Sequence, residues 1–212
     1  MNKIVFFVLI ALKMNAQDTI VFPKIDLYKR NIIELSYGIP LGQLSNKYES
    51  SINTAYYTRT KIAKRQFIDF GAELSGIIKG RSVEYELNGE KIVLNGSKTA
   101  FLLGFRYTRF LYQSKNEDFY IESNSGIGWK YLHYSKPEDE QFKEIDFKPT
   151  PNTIAVSQGI KIMFYGFGLH CNYQYSPYSL FNYKIERKFG SSSINFGLSG
   201  SWNLVLYHKV CK

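Results

Sequence analysis

His133 and Ser135 lie two residues apart in a stretch where apolar and polar side chains alternate, so both fall on one face of an extended strand. An imidazole base beside a hydroxyl is the minimum equipment for nucleophilic attack on an acyl ester. A second group is electrostatic: Glu34, Arg59, Lys61, Asp69, Glu73, Arg106, Glu122, Lys130 and Lys161 all take the more polar parity of their strands. Both signs recur on neighbouring strands, which suits mutual ion pairing on an interior face; the alternative is a path for small solutes or protons. His170 shares that parity with Asn172 and Gln174, the surroundings of a hydrogen-bonded histidine. No Gly-rich phosphate cradle, HExxH, cysteine cluster or nucleophile elbow is present, so no cofactor and no metal are expected. Cys171, on the apolar parity, and Cys211, near the C-terminus, are expected to be free thiols.

These residues need strands to position them. The alternation starts at Asn31, where Ile33, Leu35, Tyr37 and Ile39 oppose Glu34, Ser36 and Gly38, and it recurs seven more times. Ile52, Tyr56 and Ile62 oppose Asn53, Tyr57, Arg59 and Lys61. Ile68, Phe70 and Leu74 oppose Asp69, Gly71, Glu73 and Ser75. Phe101, Leu103, Phe105 and Tyr107 face away from Gly104, Arg106 and Thr108, as Ile121, Ile127, Trp129 and Tyr131 do from Glu122, Asn124 and Lys130. Three further strands run through Ile154 to Ile162, Phe167 to Tyr175 and Ile194 to Leu204. Connections near 63–65, 113–118 and 165–166 are short, whereas 42–50, 79–98, 135–152 and 178–191 are long, so turns and loops segregate to opposite ends. Within 79–98, Asn88-Gly89 suits a type I′ turn and predicts a hairpin that projects from the loop end and offers a strand edge to an extracellular protein partner.

The chain has 212 residues with 17% aromatics, 16 Phe and 17 Tyr. Its mean hydropathy of -0.24 excludes a polytopic helical membrane protein. Alternation alone leaves open whether the apolar face lines a soluble barrel or meets lipid. Volume decides, because an eight-stranded barrel has room only for a modest filling of side chains and the apolar face carries upward of about thirty large ones. The apolar face therefore points to lipid, with Tyr37, Tyr107, Trp129, Tyr131, Tyr173, Tyr175 and Trp202 as aromatic girdles.

Lys3, the apolar run Ile4 to Leu12 and Ala16 have the order of a secretory signal, residues 1–16, cleaved near Ala16. Residues 17–30 are a periplasmic lead-in, 31–207 the barrel and 208–212 a tail. Loss of Lys3 and Lys13 leaves about +7 of the formal +9 charge. The basic residues are scattered rather than striped, so nucleic acid is not an expected partner. Lipopolysaccharide phosphates are, through Lys184, Arg187 and Lys188 of the last loop.

On its export signal, eight alternating strands and turn asymmetry, the chain resembles the small eight-stranded outer-membrane barrels of Gram-negative bacteria, the OmpX and OmpA-transmembrane-domain type. That resemblance implies an all-β, antiparallel transmembrane barrel with short periplasmic turns and longer extracellular loops, monomeric and non-enzymatic. It also implies a part in envelope integrity or surface contact and adhesion. Such barrels usually end on an aromatic residue, whereas His208 to Lys212 follow Tyr207 here. The His133-Tyr134-Ser135 triplet resembles the His-x-Ser element of the lipid A deacylase family. The carboxylate which that family places on the following strand has no counterpart in residues 153–163, so no catalytic residue is assigned.

Overall fold

The computed structural model describes residues 29–87, 89–115, 118–135, 150–181 and 189–203. The export signal, most of the lead-in, Lys184, Arg187 and Lys188, Cys211 and the tail lie outside these residues.

Alternating β-branched and aromatic residues build nine strands. They are β1 (Lys29–Leu41), β2 (Ser50–Ala63), β3 (Gln66–Ile78), β4 (Val83–Leu87), β5 (Glu90–Gln113), β6 (Phe119–Ser135), β7 (Asn152–Phe164), β8 (Phe167–Tyr175) and β9 (Ser192–Asn203). All but β4 form one closed antiparallel barrel. β1 pairs with β9 from Arg30↔Asn203 to Leu41↔Ser192, and β3 pairs with β5 from Gln66↔Arg109 to Gly76↔Thr99. These two ladders close the ring, so the barrel has no free edge. Thirteen residues, as in β3, reach roughly 30 Å along a barrel axis at the usual tilt, enough for a hydrocarbon core.

The ends differ as expected. At one, Lys64-Arg65 and Tyr165-Gly166 make tight turns, and between β5 and β6 the Ser114 N–H donates to the Phe119 carbonyl at 2.8 Å. At the other stand a 3-10 helix (Gly42–Asn46), the β4–β5 hairpin and a single helical turn, α1 (Tyr178–Phe181). The 79–98 loop is a hairpin as predicted, with Val83↔Leu94 to Leu87↔Glu90 in register and Gly89 at φ 85°. β5 is longer than the sequence suggested: its 24 residues run without a break from the turn end into the hairpin.

Outside, more than thirty large apolar or aromatic side chains among the described residues are exposed, including Leu74 at 57%, Ile127 at 57% and Leu198 at 60%. Inside, Glu34, Arg59, Asp69, Arg106, Glu122 and Lys161 are each no more than 6% exposed. A surface this apolar around an interior this charged is stable only with lipid as the outer solvent, so the molecule is a transmembrane barrel. The soluble alternative, with the apolar face inward, is thereby excluded.

The interior is not polar throughout, which corrects the sequence expectation. Phe67, Phe110, Tyr120 and Met163 form a buried cluster inside the turn end, with the Phe67–Phe110 and Phe110–Tyr120 ring centroids 4.7 Å apart. At the loop end Leu44, Tyr48, Val83, Ile92, Leu94, Leu132, Tyr134, Tyr178 and Phe189 form a larger cluster that caps the mouth. The hairpin thus lays its inner face over the barrel instead of standing clear of it. Gly71 lies within the wall below the cap, where a Cβ would sit 2.7 Å from Tyr57 Cα.

The aromatic plug at the turn end should carry much of the stability of that end. Phe110→Ala is expected to lower unfolding free energy by about 3–5 kcal/mol, measured by urea titration of the folded band on unheated gels. A change under about 1 kcal/mol would mean that the cluster is not packed as described.

Candidate functional site in the barrel lumen

Strand parity delivers the lumen charges from separate strands to one level of the barrel. Arg59 on β2 grips Asp69 on β3 through Nε to Oδ1 at 2.7 Å and Nη2 to Oδ2 at 2.9 Å. The same guanidinium donates to Glu122 on β6, Nη1 to Oε2 at 2.6 Å and Nη2 to Oε1 at 3.0 Å. Arg106 on β5 holds Glu34 on β1 by a parallel pair at 2.8 and 3.0 Å, and its Nη2 lies 3.6 Å from Asp69. Lys161 on β7 closes the circuit, paired with Glu34 and 3.4 Å from Glu122.

The result is a closed ring of six alternating charges, Arg59, Asp69, Arg106, Glu34, Lys161 and Glu122, from six of the eight barrel strands. Each ion has two opposite neighbours, and the forked guanidinium geometry matches the carboxylates in pairs. Two further contacts fix the arginines: the Arg106 guanidinium lies 3.5 Å from the Tyr57 ring centroid, and that of Arg59 lies 5.1 Å from that of Phe67. Thr108 Oγ1 donates to Asp69 at 2.9 Å. Gly126 leaves the space, since a Cβ there would lie 3.0 Å from Arg106 Cγ. The remaining two strands meet beside the ring, where His170 Nδ1 and Ser199 Oγ are 2.8 Å apart.

Glu73 and Lys130 sit one level nearer the loops. Lys130 donates to Gln174, and Ser75 Oγ lies 3.5 Å from Glu73. Between this level and the apolar cap is a small chamber bounded by Ser51, Asn53, Glu73, Lys130, Ser193 and Asn195 and roofed by Tyr48 and Leu132. Asn53 Oδ1 is buried there without a protein hydrogen-bond partner, so the chamber is a polar space able to hold ordered water.

Of the nine charged residues expected in the lumen, Lys61 is misplaced. It is exposed at the turn-end rim, beside the register shift between Lys61 and Ala63. Its parity points inward, opposite buried Phe67, but at the last step before the turn the side chain is exposed at the rim rather than enclosed with the plug. The residues missed were the apolar members of the same parity, Phe67 and Phe110 at one end and Leu132 and Tyr134 at the other. Their signal was the continuation of the inward alternation one or two steps beyond the charged positions.

His133 is exposed on the outer face of β6 opposite Thr99, and Ser135 pairs with Asn95 at the strand's end. The neighbouring strand β7, residues 152–164, carries no carboxylate. Cys171 is exposed on the lipid face. Among the described residues no group of three or more His, Cys, Asp or Glu is arranged to hold a metal.

At the loop end, burial pushes the phenols of Tyr48 and Tyr178 well above their ordinary value. A phenol whose folded pKa is raised adds stability that is fully present below its unfolded pKa of about 10 and is lost as pH rises above it. Alkaline titration should therefore show these two tyrosines ionising late, by absorbance at 295 nm against Tyr48→Phe and Tyr178→Phe, with the cap loosening above about pH 10. Ring charge is tested by Arg59→Met, which strands Asp69 and Glu122 together and should cost about 3–5 kcal/mol in urea unfolding. Adding Glu122→Gln should then cost less than the sum of the two single changes.

No protein-family model and no curated protein matches the chain. Among solved structures it is similar to that of Ail, the attachment invasion locus protein of Yersinia pestis, in complex with the heparin analogue sucrose octasulfate. The likeness has a TM-score of 0.41 and 10% identity, over 82% of this chain and 97% of that one.

Proposed function

We propose that this chain is a non-conducting, non-enzymatic outer-membrane barrel of a Gram-negative cell that serves envelope integrity and surface contact. The observation that carries this is the three-tiered filling of the lumen: an aromatic plug, the ring of alternating charges and the apolar cap. A solute moving along the axis would have to part paired, desolvated ions and two dry clusters. The signal in residues 1–16 supports export, and the edge-free barrel supports a bilayer in which backbone groups must be satisfied internally. The tight turns then face the periplasm and the loops the exterior, where lipopolysaccharide is the neighbouring lipid.

Surface contact falls to the outward side of the hairpin. There Val93 is 58% exposed beside the Lys91–Glu84 pair at 3.3 Å, and β4 pairs only with β5 among the described residues. An extended segment of a protein partner would add to the β4 edge. The inner side of the hairpin belongs to the cap, so the outer side alone is available.

Purified barrel in planar bilayers is expected to give no steady conductance steps across a wide voltage range; regular steps would make it a channel. Replacing Val93 with Asp and Glu86 with Pro, to blunt the surface and the edge, should reduce attachment of expressing cells to host matrix by about tenfold while leaving the gel-shifted folded band intact. Unchanged attachment would remove the contact role.

A further inference from the structure

Charge is distributed unequally between the two ends. At the loop end Lys79 pairs with Glu49 at 3.2 Å and Lys91 with Glu84 at 3.3 Å, with Glu86 exposed beside them, so the exposed Lys79, Arg81, Lys91 and Lys98 are largely offset by carboxylates. At the turn end Lys61, Lys64, Arg65 and Lys115 are exposed, and one carboxylate, Asp118, stands at that rim among the described residues. The lipid-facing surface at this end carries exposed rings around the barrel: Tyr112 at 53% on β5 near Lys115, and on the other side Tyr165 at 65%, Phe167 at 74% and Trp202 at 44%. The cations therefore lie at headgroup height, one step past the hydrocarbon boundary that those rings mark.

The turns themselves point the same way. Arg65 has φ 60° and Tyr165 φ 49°, left-handed conformations that glycine or asparagine adopts with least strain. In the first turn that position carries a guanidinium. In the second, the Tyr165-Gly166 pair has both φ values positive, and the first position carries an exposed aromatic stacked edge-on against Phe164 at 4.5 Å. Two tight turns thus accept backbone strain and in exchange present the two side-chain types that partition to a phospholipid interface.

We infer that the turn end of the barrel is a binding surface for anionic phospholipid headgroups, the phosphoglycerol class, in the leaflet on that side. Lys64, Arg65 and Lys115 engage the phosphates, Lys61 adds to the field, and Tyr165, Phe167 and Trp202 seat the acyl-chain boundary. The inference rests on the barrel spanning a bilayer and adds the headgroup chemistry that one of its faces selects.

Trp129 and Trp202 are the two tryptophans of the chain, and they lie toward opposite ends. The full-length protein carrying Trp129→Phe, folded into phosphatidylcholine vesicles, reports on the turn end through Trp202. Brominated phosphatidylglycerol is expected to quench Trp202 with about fivefold higher relative association than brominated phosphatidylcholine, equivalent to roughly one Lys or Arg contact. That preference should fall towards unity in Lys61→Gln/Lys64→Gln/Arg65→Gly/Lys115→Gln, in which glycine at position 65 also relieves the turn. It should weaken in 0.5 M salt. In the converse protein, Trp202→Phe, Trp129 should show no preference. Equal quenching by both lipids at Trp202, a preference that survives the four substitutions, or the same preference at Trp129 would each overturn the inference while leaving the spanning barrel in place. Failure to insert into any vesicle would remove both.

Discussion

Six buried charges in a closed circuit set the terms for the rest of this molecule. A single ion transferred into a low-dielectric interior is untenable, and an isolated pair is marginal once desolvation is counted. A ring differs because every member is solvated by two of opposite sign, and the sum of charges is zero. Its assembly requires β1, β2, β3, β5, β6 and β7 to be in register at one height. A slip of one residue in any of them would turn an ion to the lipid. The ring is thus less a source of net stability than a condition that only one arrangement of the barrel satisfies.

The two apolar layers complete that arrangement by keeping the ring dry. Phe67 spans both environments, packing on Phe110 and lying under the Arg59 guanidinium; Tyr57 does the same for Arg106. Bulk water held off at both ends leaves the Coulombic interactions within the ring weakly screened. Stability at the mouth comes from side chains of loops and hairpin rather than of strands alone. Segments beyond the barrel rim therefore take part in the core of the protein.

Much of this was legible in the residues. Period-two alternation located all eight barrel strands, and parity assigned eight of the nine lumen charges to the interior because a membrane barrel applies the same inside-outside rule along its whole height. The rule fails where the height ends. Lys61 has inward parity but stands at the rim, where the interior beside it is already filled by the aromatic plug, and Phe67 and Phe110 have the inward parity expected of polar groups but occupy a level where dryness is required. The cap was beyond reach for another reason. Leu44, Val83, Tyr178 and Phe189 come from four separate segments, and their convergence depends on loop paths that no local periodicity encodes.

The unbroken run of β5 has a mechanical meaning. Its hydrogen bonds to β3 and β6 lie across the direction in which the strand leaves the barrel. A pull on the hairpin tip along that direction would load many of these bonds at once in shear, instead of peeling them off one by one. The hairpin tip is therefore joined by one continuous strand to the turn end on the far side of the bilayer. Tension arriving at the tip is borne by the whole barrel wall.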